Sequence, residues 1–178
     1  RPPVFLHPPL AAEITRIYQE RTAGWDREAR ELLADGDHPV DFEGLYAVRT
    51  HRDHQKLLAL DEPAVILAGS GMCTGGRIVN HLKQGLEDPR NDVLFVGYQA
   101  PGTPGRDLVR YGDRGGGWVE LDGERLEIRA RVHVLSGYSA HADRDELVRW
   151  ARAARPGRIH LVHGEEAARR SLEEALAW

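Results

Sequence analysis

The stretch Ser136-Gly137-Tyr138-Ser139-Ala140-His141-Ala142-Asp143 is followed along the chain by Leu161-Val162-His163-Gly164-Glu165. Each presents a histidine beside small residues after an apolar lead-in, and residues 146–151 between them have apolar side chains at helical spacing. The pattern predicts a strand, a turn, a helix and a second strand, and a right-handed crossover would make the strands parallel. His141 would begin the helix and His163 would end the second strand. Because ligands bind at the carboxyl edge of such sheets, the two histidines mark a candidate site.

The length of the chain allows a sizeable hydrophobic core, and its net charge bears on whether it binds nucleic acid. The chain has 178 residues and a formal charge of −4, which argues against a broadly basic nucleic-acid coat but leaves room for a local basic groove. Lys56 and Lys83 are the only lysines. Bidentate phosphate contacts and a GC-rich genome would both explain this preference for arginine.

The single cysteine, Cys73, excludes an intramolecular disulfide and a cysteine-rich zinc module. We expect it to be a small packing residue rather than a nucleophile. No signal peptide or long apolar run is present, so we expect a soluble, cytoplasmic protein without membrane contacts. The chain opens directly on the strand pattern of residues 3–6, which suggests a piece of something longer.

The first half of the chain alternates short apolar runs with helical patterns. A strand at 4–6 is stopped by His7-Pro8-Pro9, and helices are predicted at 11–21 and 25–33 before a strand at 45–48. The spacing of His51 and His54 is compatible with metal binding, but charged residues flank the pair and further ligands are missing. We therefore interpret it as a solvated helix start.

A glycine-rich turn joins a predicted buried strand at 64–68 to a helix that begins at Arg77. Backbone N–H groups and the helix dipole make such a turn suitable for a phosphate. The alternative is a tight turn that needs glycine only for its backbone angles. The candidate phosphate-binding residues are Ser70, Gly71, Thr74, Gly75, Gly76 and Arg77.

The second half repeats this arrangement once. A buried strand is predicted at 92–98, and a turn at 100–105 leads to a short helix at 106–111. This turn would lie beside the first if the two strands are neighbours. Alternating residues around Asp122-Gly123 predict a hairpin, and residues 167–178 predict a terminal helix.

Four motifs together resemble the β-CASP group of metallo-β-lactamase-fold nucleases, in its RNA-processing branch. In chain order they are Ser70-Gly71-Met72-Cys73-Thr74-Gly75-Gly76-Arg77, Val96-Gly97-Tyr98-Gln99, Gly137-Tyr138-Ser139-Ala140-His141-Ala142-Asp143 and Leu161-Val162-His163-Gly164-Glu165. The resemblance runs from Pro3 to about residue 174. It departs where the family has an Asp-Ser-Pro-Leu-Ala turn, because His7 and Pro8 stand in place of Asp and Ser.

The resemblance assigns different roles to the two motif histidines. It implies that His163 completes a two-zinc site and that His141 faces the scissile phosphate as a catalytic residue. Asp143 and Glu165 would orient these rings, or would be charges at helix starts. With the resemblance, phosphate binding by the glycine-rich turn is favoured over a purely structural turn.

Most zinc ligands of this family come from an early His-x-His-x-Asp-His motif, which the sequence lacks. The resemblance thus implies an α/β fold, with a mostly parallel sheet flanked by helices as the β-CASP insert. We expect this insert at residues 1–132, and the terminal β-α-β-α segment of the metallo-β-lactamase fold at 133–178. The chain alone would then hold no stoichiometric zinc and would not cleave RNA.

The function implied is zinc-dependent hydrolysis of RNA phosphodiesters by a longer protein. Its partners would be RNA and the remaining, N-terminal metallo-β-lactamase domain, and a homodimer is compatible with the resemblance. One alternative is a non-catalytic RNA- or nucleotide-binding module that uses the glycine-rich turns. Another is a half of an inactive homologue that mediates assembly.

Overall fold

The computed structural model describes residues 2–112, 114–135, 137–138 and 141–177. These residues divide into two compact units, Arg1–Ser136 and Gly137–Trp178. The first unit contains β1 (Val4–Leu6), α1 (Pro9–Glu20), a short 3-10 helix (Thr22–Gly24), α2 (Arg27–Ala34), β2 (Leu45–Ala47), α3 (His51–Leu58), β3 (Val65–Leu67), α4 (Arg77–Gly85), β4 (Asp92–Phe95), α5 (Pro104–Gly112), β5 (Trp118–Leu121), β6 (Glu124–Glu127) and β7 (Arg131–Val134). The second contains α6 (Arg144–Ala154) and α7 (Glu166–Leu176). None of the helices in the described ranges is long and apolar enough to span a membrane.

The strands of the first unit are mostly parallel, which confirms the α/β class. β1 lies between β2 and β3 and is parallel to both, with Phe5 opposite Tyr46 and Ile66. β4 pairs in parallel with β7, and β5 and β6 form the predicted hairpin. Asp122 and Gly123 form its turn with φ of 50° and 77°, the left-handed values of a two-residue hairpin turn.

The first unit has a core between α4, α5 and the hairpin. Its fully buried side chains include Leu86, Leu108 and Leu121. Cys73 belongs to this core at 2% exposure, so the prediction that it is a packing residue is confirmed.

The prediction of a buried strand at 64–68 is right in position and wrong in burial. Val65, Ile66 and Leu67 are 43%, 37% and 47% exposed. Leu94, in the strand predicted at 92–98, is 56% exposed, and that strand ends at Phe95. A parallel strand is buried only when other layers cover both faces of its sheet, and an apolar sequence run does not supply those layers.

The second unit differs from the predicted strand-helix-strand pattern. Residues 158–163 lead to α7 without forming a strand, so the prediction that His163 ends a strand is wrong for this structure. A strand is defined by hydrogen bonds to a neighbouring strand, and the described part of this unit contains no strand to pair with. The two helices contact each other, and Arg152 Nη2 donates to the carbonyl of Ala175 at 3.2 Å.

Candidate functional site

The glycine-rich turn joins β3 to α4 as predicted. Gly76 precedes the first residue of α4 and has φ of +83°, a value that favours glycine. A Cβ atom at Gly76 would lie 2.7 Å from the carbonyl oxygen of Gly69, which is closer than packing allows. The turn therefore needs glycine at this position for its own shape.

Part of the backbone of this turn remains available to a ligand. The amide of Cys73 donates to the carbonyl of Ser70 at 3.1 Å, and the amide of Ile78 donates to that of Gly69 at 3.2 Å. Within the described ranges, the amides of residues 74–76 donate no hydrogen bond. They stand at the N-terminus of α4, where the positive end of the helix dipole attracts anions.

The side chains predicted to bind phosphate are on the surface of the turn. Ser70, Thr74 and Arg77 are exposed, and Arg77 forms no salt bridge with another described residue. An exposed guanidinium beside unbonded backbone amides can donate several hydrogen bonds to one phosphate. The arrangement is thus chemically suited to a phosphate group.

The second turn lies against the first, although the strands are not the neighbours that the sequence prediction had required. The amide of Gly105 donates to the carbonyl of Met72 at 2.9 Å, and a Cβ atom at Gly105 would lie 2.5 Å from the carbonyl oxygen of Gly71. The strands that lead into the turns, β3 and β4, belong to different sheets. Contact between the turns therefore comes from their glycines and not from strand pairing.

A basic groove that the sequence analysis missed runs beside the second turn. Its volume is about 870 Å³, and its charged lining residues are Arg106, Arg110, Arg114 and one acidic residue, Asp107. The signal in the sequence is that an arginine recurs at every fourth position. This spacing places Arg106 and Arg110 on the same face of α5. The chain's net negative charge hides this local concentration of positive charge.

Three histidines from distant parts of the first unit form a second cluster. His7 follows β1, His54 lies on α3 and His81 lies on α4. His7 Nδ1 and His81 Nε2 are 2.6 Å apart and share a hydrogen bond, and the rings of His7 and His54 stack with centroids 4.7 Å apart. His7 is 2% exposed and His54 is 8% exposed.

This cluster corrects the interpretation of His51 and His54. The helix start is right, because Thr50 caps α3 and accepts a hydrogen bond from the amide of Asp53 at 3.1 Å. His51 is exposed, but His54 is not solvated. His51 is in the exposed first turn of α3, whereas His54 is on the side of the helix that packs against the rest of the unit.

Burial is the main cause that lowers the pKa of His81, to about 4, and the charges on His7, His54 and Arg77 lower it further. Burial is also the first cause of the lowered pKa values of His7 and His54. The three rings are therefore neutral at pH 7, and each neutral ring keeps one nitrogen lone pair.

The second unit carries the two motif histidines. His141 and His163 are both exposed, and they precede α6 and α7 by a few residues. Asp143 is the N-cap of α6: its Oδ1 accepts from the amide of Glu146 at 2.8 Å, while its own amide donates to Glu146 Oε2 at 3.1 Å. Glu165 occupies the N-cap position of α7, and its carbonyl accepts from the amide of Arg169 at 2.9 Å. Residues Ser136, Ser139 and Ala140 of the quoted stretch lie outside the described residues.

The residues present do not make up a two-zinc site around His163. Among the described residues, the one group of three or more histidine, cysteine or acidic side chains close enough to share an ion is that of His7, His54 and His81. The motif histidines belong to the other unit. A zinc centre of the family type would therefore need ligands beyond the described part of this chain.

Comparison with known proteins gives two family matches in chain order. Residues 1–108 match the Beta-Casp domain, and residues 125–177 match the Zn-dependent metallo-hydrolase RNA specificity domain. Ribonuclease TTHA0252 of Thermus thermophilus is 38% identical over 177 residues, which are 99% of this chain and 40% of that protein. Transcription termination factor FttA of Pyrococcus horikoshii is 39% identical over 158 residues, 86% of this chain and 24% of the relative. FttA of Methanocaldococcus jannaschii is 35% identical over 165 residues, 87% of this chain and 25% of the relative. The chain thus spans less than half the length of each.

Proposed function

Because the chain belongs to the Beta-Casp domain family of RNA-processing nucleases, we propose that it forms part of a zinc-dependent ribonuclease that hydrolyses RNA phosphodiester bonds. A relative of similar sequence over 99% of the chain is named a ribonuclease, which supports this assignment. The proposed location is the cytoplasm, and the proposed partners are RNA and a domain that carries the remaining zinc ligands. Under this proposal residues 1–132 are the β-CASP insert and 133–178 return to the catalytic domain.

The observation that carries the proposal is the glycine-rich turn. Unbonded amides at residues 74–76 and the exposed Arg77 together offer donors for one phosphate of the RNA backbone. The groove lined by Arg106, Arg110 and Arg114 would contact further phosphates. Contacts of this kind position a strand without reading its bases, which suits an enzyme that must hold many sequences.

The two motif histidines, His141 and His163, are proposed to take part in the hydrolysis of the phosphodiester bond. His141 would donate a proton to the leaving oxygen or stabilise the charge on the scissile phosphate. His163 would be one ligand of a zinc pair, whose chemistry when bound is to activate a water molecule and neutralise charge on the phosphate. Asp143 would combine capping of α6 with orientation of a ring. Since this chain supplies only one of the ligands, no reaction step through zinc follows from its residues alone.

The chain alone is therefore expected to leave RNA uncut. The measurement is incubation of the purified 178-residue chain with end-labelled RNA, with and without added Zn²⁺. Intact RNA in both samples is the expected result. Cleavage that a chelator abolishes would contradict this part of the proposal.

Binding through the turn can be tested in the same chain with Arg77→Ala. Loss of a direct charge-assisted contact should weaken RNA binding by about 1.5–3 kcal/mol. It should also lower the slope of log affinity against log salt by about 1. Arg27→Ala is the matched control, because Arg27 is 89% exposed on α2 and faces only Glu31 at 3.7 Å. Equal affinities and salt slopes for both variants would leave the turn with a structural role only.

A second candidate function is that of a non-catalytic module that binds RNA or nucleotides without a metal ion. One observation favours it: the turn is formed entirely within the first unit, whereas His163 belongs to no group of three or more potential metal ligands among the described residues. RNA binding that survives a chelator is expected under both candidates. Chelator-sensitive cleavage by a longer protein that includes this chain is expected only under the first.

A further inference from the structure

We propose that His7, His54 and His81 form a metal-binding site for a divalent transition metal ion, with zinc as the best candidate. The site lies wholly within the first unit, whereas His163 belongs to the second unit. It also reverses the expectation that the chain alone holds no stoichiometric zinc.

The geometry of the three rings is close to that of a metal site. One nitrogen from each ring lies within 4.8 Å of the other two. A tetrahedral zinc ion with bonds of about 2.0–2.1 Å holds its nitrogen ligands about 3.3 Å apart. Side-chain rotations that move these nitrogens by about 1 Å would therefore complete the arrangement.

The contact between His7 and His81 already excludes full protonation of the pair. His7 Nδ1 and His81 Nε2 are 2.6 Å apart, so one of these nitrogens donates its hydrogen and the other accepts it through a lone pair. An ion between these nitrogens would take a lone pair from each ring, and the hydrogen of the donor ring would move to that ring's other nitrogen. The two nitrogens would then separate by about 0.7 Å to reach zinc-ligand spacing.

His54 supplies a second, independent observation. The residue is only 8% exposed, and its buried Nδ1 atom has no hydrogen-bond partner among the described residues. Buried polar atoms without partners are rare in folded proteins, and an unidentified ion is one of the reasons for them. Coordination by His54 would use a ring that the protein buries without satisfying its hydrogen bonds.

The donor set determines which ion fits. Three imidazoles suit zinc, cobalt, nickel and copper, whereas magnesium and calcium prefer oxygen ligands. A fourth ligand, a water molecule, would complete the tetrahedron, as in other three-histidine zinc sites. The positive charge of Arg77 acts on all three rings and opposes a cation, so the site should bind more weakly than a four-ligand structural site.

The test uses the full 178-residue chain after removal of metal with a chelator. Titration with Zn²⁺ alone against a chromophoric chelator should show one equivalent bound. Co²⁺ should give the visible absorption of a four-coordinate ion. His81→Gln and His54→Gln should each weaken Zn²⁺ binding by more than about 100-fold, the upper limit for loss of an outer-sphere partner.

Two further variants make the result specific. His160→Gln changes an exposed histidine of the second unit and should leave the affinity unaltered. His163→Gln tests whether the family motif, and not the three-histidine cluster, holds the ion. Zinc binding that is lost in His163→Gln and kept in His81→Gln would overturn the proposal.

Thermal unfolding keeps the proposal testable if a variant folds poorly. An ion that binds only the folded chain raises its melting temperature, so Zn²⁺ should stabilise the wild-type chain and the His160→Gln variant. The absence of both a melting shift and a four-coordinate Co²⁺ spectrum in the wild-type chain would overturn the proposal without any variant. Mg²⁺ at the same concentration is the matched control ion and should give no shift.

Discussion

The two sets of histidines in this protein differ in almost every physical property. His7, His54 and His81 are drawn from three separate elements, contact one another, and include rings only 2% and 8% exposed. His141 and His163 are exposed residues just before two helices. In the sequence, His54 was interpreted as part of a solvated helix start and His7 as a departure from a family turn, whereas the second set belongs to two of the family motifs.

This difference shows that a motif and a completed site are separate things. A motif histidine is recognisable because neighbours along the chain accompany it, and the groups it acts with can lie elsewhere. The first unit brings its three rings together by packing β1, α3 and α4, and no local pattern in the sequence groups these three histidines.

The largest effects are expected from the motif histidines in a longer protein that contains the other zinc ligands. His141→Ala should keep its zinc and bind RNA but lose about 10²–10⁴-fold in cleavage rate, because proton donation or charge stabilisation is lost. His163→Ala should instead lower the zinc content, because a ligand is lost. Metal analysis and single-turnover rates on both variants separate the roles. A loss of zinc in His141→Ala alone would reverse the assignment.

A core substitution should show how differently the two units bury their apolar residues. Leu108 on α5 is 0% exposed, whereas Leu147 on α6 is 41% exposed. Leu108→Ala should lower the free energy of unfolding by about 2–5 kcal/mol, since it leaves a cavity in the core. Leu147→Ala should cost about 1 kcal/mol or less. Denaturant unfolding, with hydrogen exchange to assign the unit affected, measures both, and equal losses would contradict the contrast.

The buried thiol beside the glycine-rich turn gives a prediction about pH. Burial raises the pKa of Cys73 from 9.0 to about 11, so at pH 9 the folded chain should contain roughly 50-fold less thiolate than an exposed cysteine. Alkylation by iodoacetamide should be correspondingly slow and should become fast in denaturant. Because the folded state favours the thiol, its contribution to stability is present below pH 9 and is lost as the pH rises toward about 11. Rapid alkylation of the native chain at pH 8 would show that the thiol is accessible.

The smallest effect is expected at the helix that follows His141. Asp143→Ala removes a side chain that accepts from the amide of Glu146, and it should lower the stability of α6 by about 1 kcal/mol. Asp143→Asn is the matched control, since asparagine caps helices nearly as well. Circular dichroism during thermal unfolding measures the difference. If Asp143 also orients a ring, Asp143→Asn in the longer protein should reduce cleavage while the helix keeps its stability.

The turns and helix starts of this chain were largely predictable, because they depend on residues close together in the sequence. The hairpin turn at Asp122-Gly123 and the start of α4 at Arg77 were found in the predicted places. The strand expected before His163 was wrong, since a strand needs a partner and the local pattern cannot supply one. The burial of β3 was overestimated for a similar reason, because an apolar run does not say which layers cover it.

The order of most helices and strands, the glycine positions of the turns and the family of the chain could be predicted from the sequence alone. These depend on local backbone preferences and on motifs of a few consecutive residues. The tertiary structure alone decided that His7 and His81, which are 74 residues apart, share a hydrogen bond and that His54 is buried beside them. It also decided that three arginines line one groove next to the second glycine turn. Contacts between distant residues arise only when the elements pack, because each ring or guanidinium is positioned by a whole helix or strand and not by its neighbours in the sequence.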